Sequence, residues 1–216
     1  MNIFVKELKS NSKVFCFWVM GLIVMVFAGL TEFSGMQGTN MQEMIDLMNE
    51  FPKIVLAFFG MPAGIDVTTF GGYYFVLNNY IVIVICLYAI HLAVKAVTRE
   101  NTDKTYEFLY TKPVTRGRIL TMKLLASYLY LMLYCILNYI FAILSAMSIG
   151  VESELFYIME FYSVISYVLA SVFFAIAVLI SSSVSKIEQS AMFSNMAFFV
   201  AFGMAVVYDC VENTKW

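Results

Sequence analysis

The chain has 216 residues, of which 62% are hydrophobic and 13% charged, and its formal net charge is −2. Its mean hydropathy is +0.82. A soluble domain holds about 45–50% apolar and about 25% charged residues, so these figures exclude a soluble globular fold, a disordered tail and a disulfide-stapled secreted module. They leave an integral membrane protein, and the slightly negative charge gives no bulk attraction to nucleic acid.

Residues 1–13 carry Lys6, Lys9 and Lys13, while Ile3, Phe4 and Leu8 share one helical face. That pattern predicts an amphipathic helix on the inner membrane surface leading into the first span. The basic start, the apolar run and Val26-Phe27-Ala28 also fit a cleavable secretory signal loosely, a weaker reading. Spans follow from the gaps between charges, because a helix needs about 20 residues to cross about 30 Å of hydrocarbon. Eighteen uncharged residues separate Lys13 from Glu32 and predict a span over 14–31.

The outer segment 32–66 is more than a linker. Asn40 followed by Glu43 resembles a capping box, and Met41, Met44, Ile45 and Met48 recur at helical spacing. This predicts an amphipathic helix resting on the outer face, with an outer gate or substrate-contacting lid as the functional alternative. Pro52 closes or restarts it. The 12 uncharged residues from Ile54 to Ile65 are too few to span and read as an interfacial or re-entrant element.

Further gaps between charges predict spans over 67–94, 120–149 (its uncharged part beginning after Lys123), 161–185 and 189–208, with an inner loop at 95–119. The fold class is therefore all-α, a single transmembrane domain over residues 1–216 with five apparent spans. The long runs lack strict alternation, which argues against a β-barrel. Ala142, Ala146 and Gly150, and again Ala197, Ala201 and Ala205, have the small-residue spacing that lets helices approach closely in lipid. Trp18, Tyr73, Tyr74, Phe156 and Tyr157 sit near span ends and read as interfacial or lipid-facing.

Eleven of the 13 basic residues fall on one side of this arrangement, leaving Lys53 and Lys215 on the other. The positive-inside rule then gives a cytoplasmic N-terminus, and five spans leave the C-terminus outside. The expected location is a multi-pass protein of the cell membrane, of the bacterial plasma membrane type.

Catalytic constellations are missing from the sequence. There is no Gly-x-x-x-x-Gly-Lys-[Ser/Thr] run, no His-Glu-x-x-His, and one histidine only, so an ATP loop and a metalloprotease site are both excluded. Acidic residues are absent from the depths of the predicted spans, which removes carboxylate relays and intramembrane aspartyl chemistry. Cys16, Cys86, Cys135 and Cys210 lack loop spacing and suggest neither disulfides nor zinc. His91, near the inner end of span two, reads as an interfacial side chain, with gating or proton sensing as the functional alternative. Asn78, Asn79, Asn138 and Asn195 lie at or near membrane depth; each suits an interhelical hydrogen bond, and together they are the candidate path-lining residues.

The inner loop from Lys95 to Lys123 carries most of the information. Thr102 can cap a short helix beginning at Asp103; Tyr106, Leu109 and Tyr110 share a face with Phe108 beside them; Pro113 stops the helix; and Thr115 can cap the next. Such exposed aromatics fit either a docking surface for a soluble partner or a headgroup anchor.

Glu100, Thr105-Tyr106-Glu107-Phe108-Leu109, Pro113-Val114-Thr115-Arg116, Ile119 and Lys123 together resemble the inner-loop signature of type 2 ABC transporter permeases. The N-terminal helix with Glu7-Leu8 and the Ser181-Ser182-Ser183 to Gln189-Ser190-Ala191 turn are similar to that family as well. Lys104 stands where the family usually has Gly, and Tyr110 where a second Leu is common. The family has six membrane helices with both ends inside; against that pattern five spans lead to the expectation of a truncated or partly covered subunit, or of a relative in which the sixth helix is missing.

The resemblance implies a permease subunit of an ATP-driven exporter. It would pair with a second permease copy or paralogue within membrane lipid and with a cytoplasmic ABC ATPase that holds the ATP and Mg. Glu100, Glu107, Phe108, Leu109, Pro113 and Arg116 would form the ATPase-coupling site, with no catalytic residue, metal or cofactor in this chain. The alternative is a non-transport immunity or sensor factor that binds a peptide at the outer face; a channel or ion-coupled transporter is a third reading. The apolar spans suit an amphipathic peptide, lipid or drug as substrate.

Overall fold

The computed structural model describes residues 3–36, 50–61, 65–102, 115–184 and 186–212. Its elements are α1 (Ile3–Met36), the short α2 (Lys53–Phe58), α3 (Phe70–Thr102), α4 (Arg116–Ser148), a 3-10 turn (Ser153–Leu155), α5 (Phe156–Ser183) and α6 (Ile187–Glu212). No strand occurs among the described residues. Five of the helices are long and apolar enough to cross a membrane, as the charge gaps predict.

The helices outrun those gaps. A charge ends the apolar layer but leaves the backbone hydrogen bonds in place, so α3 continues two turns past Lys95 to Thr102. Thr102 thus belongs to α3; the short helix expected to begin at Asp103 lies outside the described residues, as does the methionine-rich helix of the outer segment. Residues 3–36 form one unbroken helix, so the basic N-terminal turns and the first span are a single rod. The face those turns pack inward is polar: Glu7 and Asn11 are buried while Lys6, Lys9 and Lys13 are exposed.

α3 is the hub. It packs against α1, α4, α5 and α6, and 61% of its most apolar stretch is buried, against 22% for α1, 28% for α5 and 17% for α6. The heaviest contacts pair α3 with α5 and α1 with α4. α1 presents Leu22, Val26, Leu30 and Phe33 to the core and turns Phe17, Met20 and Val24 outward, a division that costs nothing where lipid replaces water. α5 buries Met159, Ser163, Ser166, Ala170, Phe174, Ala177 and Ser181, a stripe of mostly small side chains that permits close approach.

The helix ends have clear causes. Thr69 caps α3: its hydroxyl accepts from the Gly72 amide at 3.2 Å. Asp66 shapes the preceding turn, its Oδ1 accepting from the Thr68 amide (2.9 Å) and the Thr68 hydroxyl (2.6 Å). Thr115 occupies the N-cap position of α4 in extended conformation, but its side chain makes no capping bond. At the other end of α4, Gly150 (φ +78°) terminates the helix. The Val151 amide donates to Ala146 O and the Gly150 amide to Met147 O, the paired bonds of a Schellman motif. Gly150 is thus a helix stop, while Ala142 and Ala146 are fully buried packing residues. Tyr74, expected at the interface, is fully buried and contacts the rings of Phe70 and Tyr162.

Candidate functional site

Among the described residues, open space meets polar side chains at each end of the bundle, and also between α4 and α5, where Cys135, Tyr139, Glu160, Ser163 and Tyr167 line a cavity of about 410 Å³. The basic end gathers the start of α1, the last turns of α3 and the starts of α4 and α6. Several long-range hydrogen bonds hold it. The Tyr130 hydroxyl donates to Leu8 O at 2.6 Å, Arg99 donates to the Ser10 hydroxyl, and Lys123 Nζ reaches Ala96 O at 3.5 Å. Just inside lies an aromatic cluster in which the Tyr88 and Tyr134 ring centroids are 4.6 Å apart and the Trp18 ring lies tilted, 5.2 Å from that of Tyr88. Tyr134 also donates to Trp18 O at 3.3 Å. Between α3 and α6 a cavity of about 400 Å³ opens; His91, Lys95 and Arg99 line one wall, and Ile187, Ala191 and Asn195 the other.

At the opposite, acidic end, Pro52 restarts the chain as α2, its carbonyl accepting from the Val55 and Leu56 amides. The helix ends at Gly60 (φ +73°). Non-helical carbonyls are costly at membrane depth unless protein supplies donors. Here Tyr80 donates to Phe59 O at 2.9 Å and Asn79 to Gly60 O at 3.4 Å. Because Asn79 and Tyr80 lie more than two turns inside α3, the tip sits beside the bundle wall, the placement expected of a re-entrant element. It borders a second cavity of about 300 Å³, lined by Phe58, Phe59, Phe173, Phe198 and Phe202, with Asp209 at one edge. Ala201 and Ala205 line this cavity too, so that small-residue stripe faces open space here.

The four candidate asparagines separate into two pairs. Asn79 and Asn195 line the acidic-end and basic-end cavities respectively. Asn78 is buried and accepts from the Ser166 hydroxyl at 3.3 Å, tying α3 to α5. Asn138 is 1% exposed, and neither atom of its amide has a hydrogen-bond partner among the described residues. Of the candidate coupling residues, Glu100 falls in the last turn of α3 and Arg116 opens α4. Glu107, Phe108, Leu109 and Pro113 lie outside the described residues, as do the side chains of Glu100 and Arg116.

Sequence reasoning missed the basic-end cavity as a site, although His91, Lys95 and Arg99 repeat every four residues and so share a helix face. It also missed the Tyr128–Tyr167 contact (2.7 Å between hydroxyls) and the Tyr128–Ser171 contact (3.1 Å), which link α4 to α5 and carry no local signal. No cluster of three or more metal-ligating side chains occurs among the described residues.

Among the described residues, four membrane-length helices packed against a tightly buried fifth, α3, with cavities at both ends, define a multi-pass membrane protein. Residues 1–214 match the ABC-2 family transporter protein family, and the chain belongs to it. It is thus a membrane component of ABC-2 transport, a class that generally lacks an ATPase site of its own. No curated protein and no solved structure matches the chain.

Proposed function

We propose that this protein is the permease subunit of an ATP-driven exporter, forming the substrate path with a second permease copy and taking its power from separate ATPase subunits through the 99–116 loop. The observation that carries this reading is the family membership over residues 1–214. The helix ends support it. α3 and α4, each 33 residues and so about 50 Å long, outreach the hydrocarbon layer and bring Glu100 and Arg116 to the two ends of the 103–114 segment. By the positive-inside rule the basic end is cytoplasmic, where an ATPase would meet this loop. Closure of the ATPases on ATP would move the loop, and α3 and α4 would carry that motion into the bundle.

In this reading Glu100, Glu107, Phe108, Leu109, Pro113 and Arg116 couple the motion mechanically. Asn79 and Asn195, each already bordering a cavity, serve as path-lining groups at opposite ends. Asn138, whose buried amide lacks partners here, finds them in the other transport state, and Asn78 holds α3 to α5.

Purification of the tagged protein in mild detergent, with mass spectrometry of what accompanies it, tests the assignment. A stoichiometric ABC ATPase is expected, and Phe108→Ala should release it or uncouple its hydrolysis from transport. Preparations from cells expressing the neighbouring genes that contain no ATPase would overturn the reading in favour of a peptide-binding immunity or sensor factor.

A further inference from the structure

We propose that the basic-end cavity between α3 and α6, the inner end of the path in the reading above and resting on that reading, binds the headgroup of an anionic phospholipid. The cavity, about 400 Å³, is graded along its length. Leu87, Ile90 and Val94, with His91 among them, line the part nearer the middle of α3, while Lys95 and Arg99 line the part nearer its end. An apolar floor leading up to cations at the limit of the hydrocarbon layer matches a phospholipid, whose acyl chains end where its phosphate begins. Basic pockets between membrane helices bind acidic headgroups on this principle.

The opposite wall supports the match. Ile187 and Ala191 are apolar, and Asn195 offers amide donors and an acceptor suited to glycerol or ester oxygens. None of these α6 side chains is anionic. Glu7 of α1 interacts with Lys95, and Lys123 lies behind the same turn of α3. Lys186 and Glu188, both exposed near the start of α6, offset each other. Among the described residues, the cavity lining thus includes two cations, Lys95 and Arg99, and no carboxylate. The Arg99 bond to Ser10 holds the guanidinium in place, which lowers the entropy lost when it meets a phosphate. The apolar lining is what distinguishes a lipid from a soluble anion: inorganic phosphate would gain nothing from Leu87, Ile90 or Ile187.

Native mass spectrometry of the full-length protein, titrated with phosphatidylglycerol or phosphatidylcholine, tests this. Each cation contributes roughly fivefold to an acidic headgroup, so phosphatidylglycerol should be preferred roughly fivefold to 25-fold. The Lys95→Gln/Arg99→Gln double variant should lose most of that preference. Lys6→Gln/Lys9→Gln removes the same charge from the exposed face of α1 and should keep it. Ala191→Trp fills the cavity without changing charge and should also abolish the preference, which guards against a folding defect specific to Arg99. Glycerol 3-phosphate, the headgroup without its tails, should not compete. Equal binding of the two lipids would overturn the proposal. So would retention of the preference in the cavity variants, or full competition by glycerol 3-phosphate, which would mark the site as one for soluble anions.

Discussion

A methyl group added at Gly72 would sit 2.1 Å from Asp66 O and 2.7 Å from its carbonyl carbon. Both atoms are backbone, so rotamer changes cannot relieve the clash. The turn must retreat by about 1 Å to restore van der Waals contact, which pulls Thr69 away from the Gly72 amide it caps. Loss of that cap costs about 1 kcal/mol, and overpacking of this kind about 1–3 kcal/mol. Ala gains back up to about 1 kcal/mol over Gly in a helix. The net expectation for Gly72→Ala is a loss of about 1–3 kcal/mol.

Gly21, in the middle of α1, provides the contrast. A Cβ there meets nothing within 4 Å, so Gly21→Ala should stabilise by about 0.5–1 kcal/mol through backbone entropy alone. The same chemical change should thus have opposite signs at two helix positions. Equilibrium unfolding of the purified protein in mixed micelles, titrated with a denaturing detergent, measures both. Gly72→Ala at or above wild-type stability, or equal destabilisation by the two variants, would refute the reasoning.

Asn138→Leu should stabilise by about 1–3 kcal/mol in the same assay, because it removes two buried polar atoms that have no partner among the described residues; a loss of stability would show that the amide is bonded in the protein as purified. Ser166→Ala removes a hydroxyl shared between Tyr162 O (2.7 Å) and Asn78 Oδ1 (3.3 Å) and should cost about 0.6 kcal/mol, the usual size for such bonds in membranes; an unchanged midpoint would remove Ser166 from the α3–α5 contact. The Asp66 carboxyl is held below its ordinary value of 3.8 by the Thr68 hydroxyl and amide. Its contribution is therefore complete above that value and is lost as pH falls through the lower folded value. Asp66→Asn should show no such step as pH falls below 3.8, and identical pH profiles for the two proteins would contradict the turn's role.

The five spans were legible because excluding charge from hydrocarbon leaves a mark in a single sequence. Their ends were not. α3 runs to Thr102 and α1 from Ile3 to Met36, since a helix persists into water wherever nothing breaks it, and the turns around Lys95 contain neither Gly nor Pro. Gly150 shows the converse: its four-residue spacing from Ala146 suggested packing, yet a left-handed backbone makes it a stop. Tyr74 near a span end could have faced lipid or core, and only its contact with Tyr162, 88 residues away, decides. The same distance in sequence hides Asn78–Ser166, and 122 residues hide Tyr130–Leu8. The proposed basic site was half visible, as the repeat of His91, Lys95 and Arg99, but its other wall comes from α6.

The unbroken α1 has a mechanical consequence. At 34 residues it is a stiff beam of about 51 Å, pinned near one end by Tyr130 and Arg99 and near the other by the Tyr73 hydroxyl on Gly29 O, 2.6 Å away. With no hinge to absorb strain, a tilt of about 10° about its midpoint would swing each end by about 4 Å in opposite directions. Leverage of that kind links the two faces of the membrane without any chain of side-chain rearrangements between them.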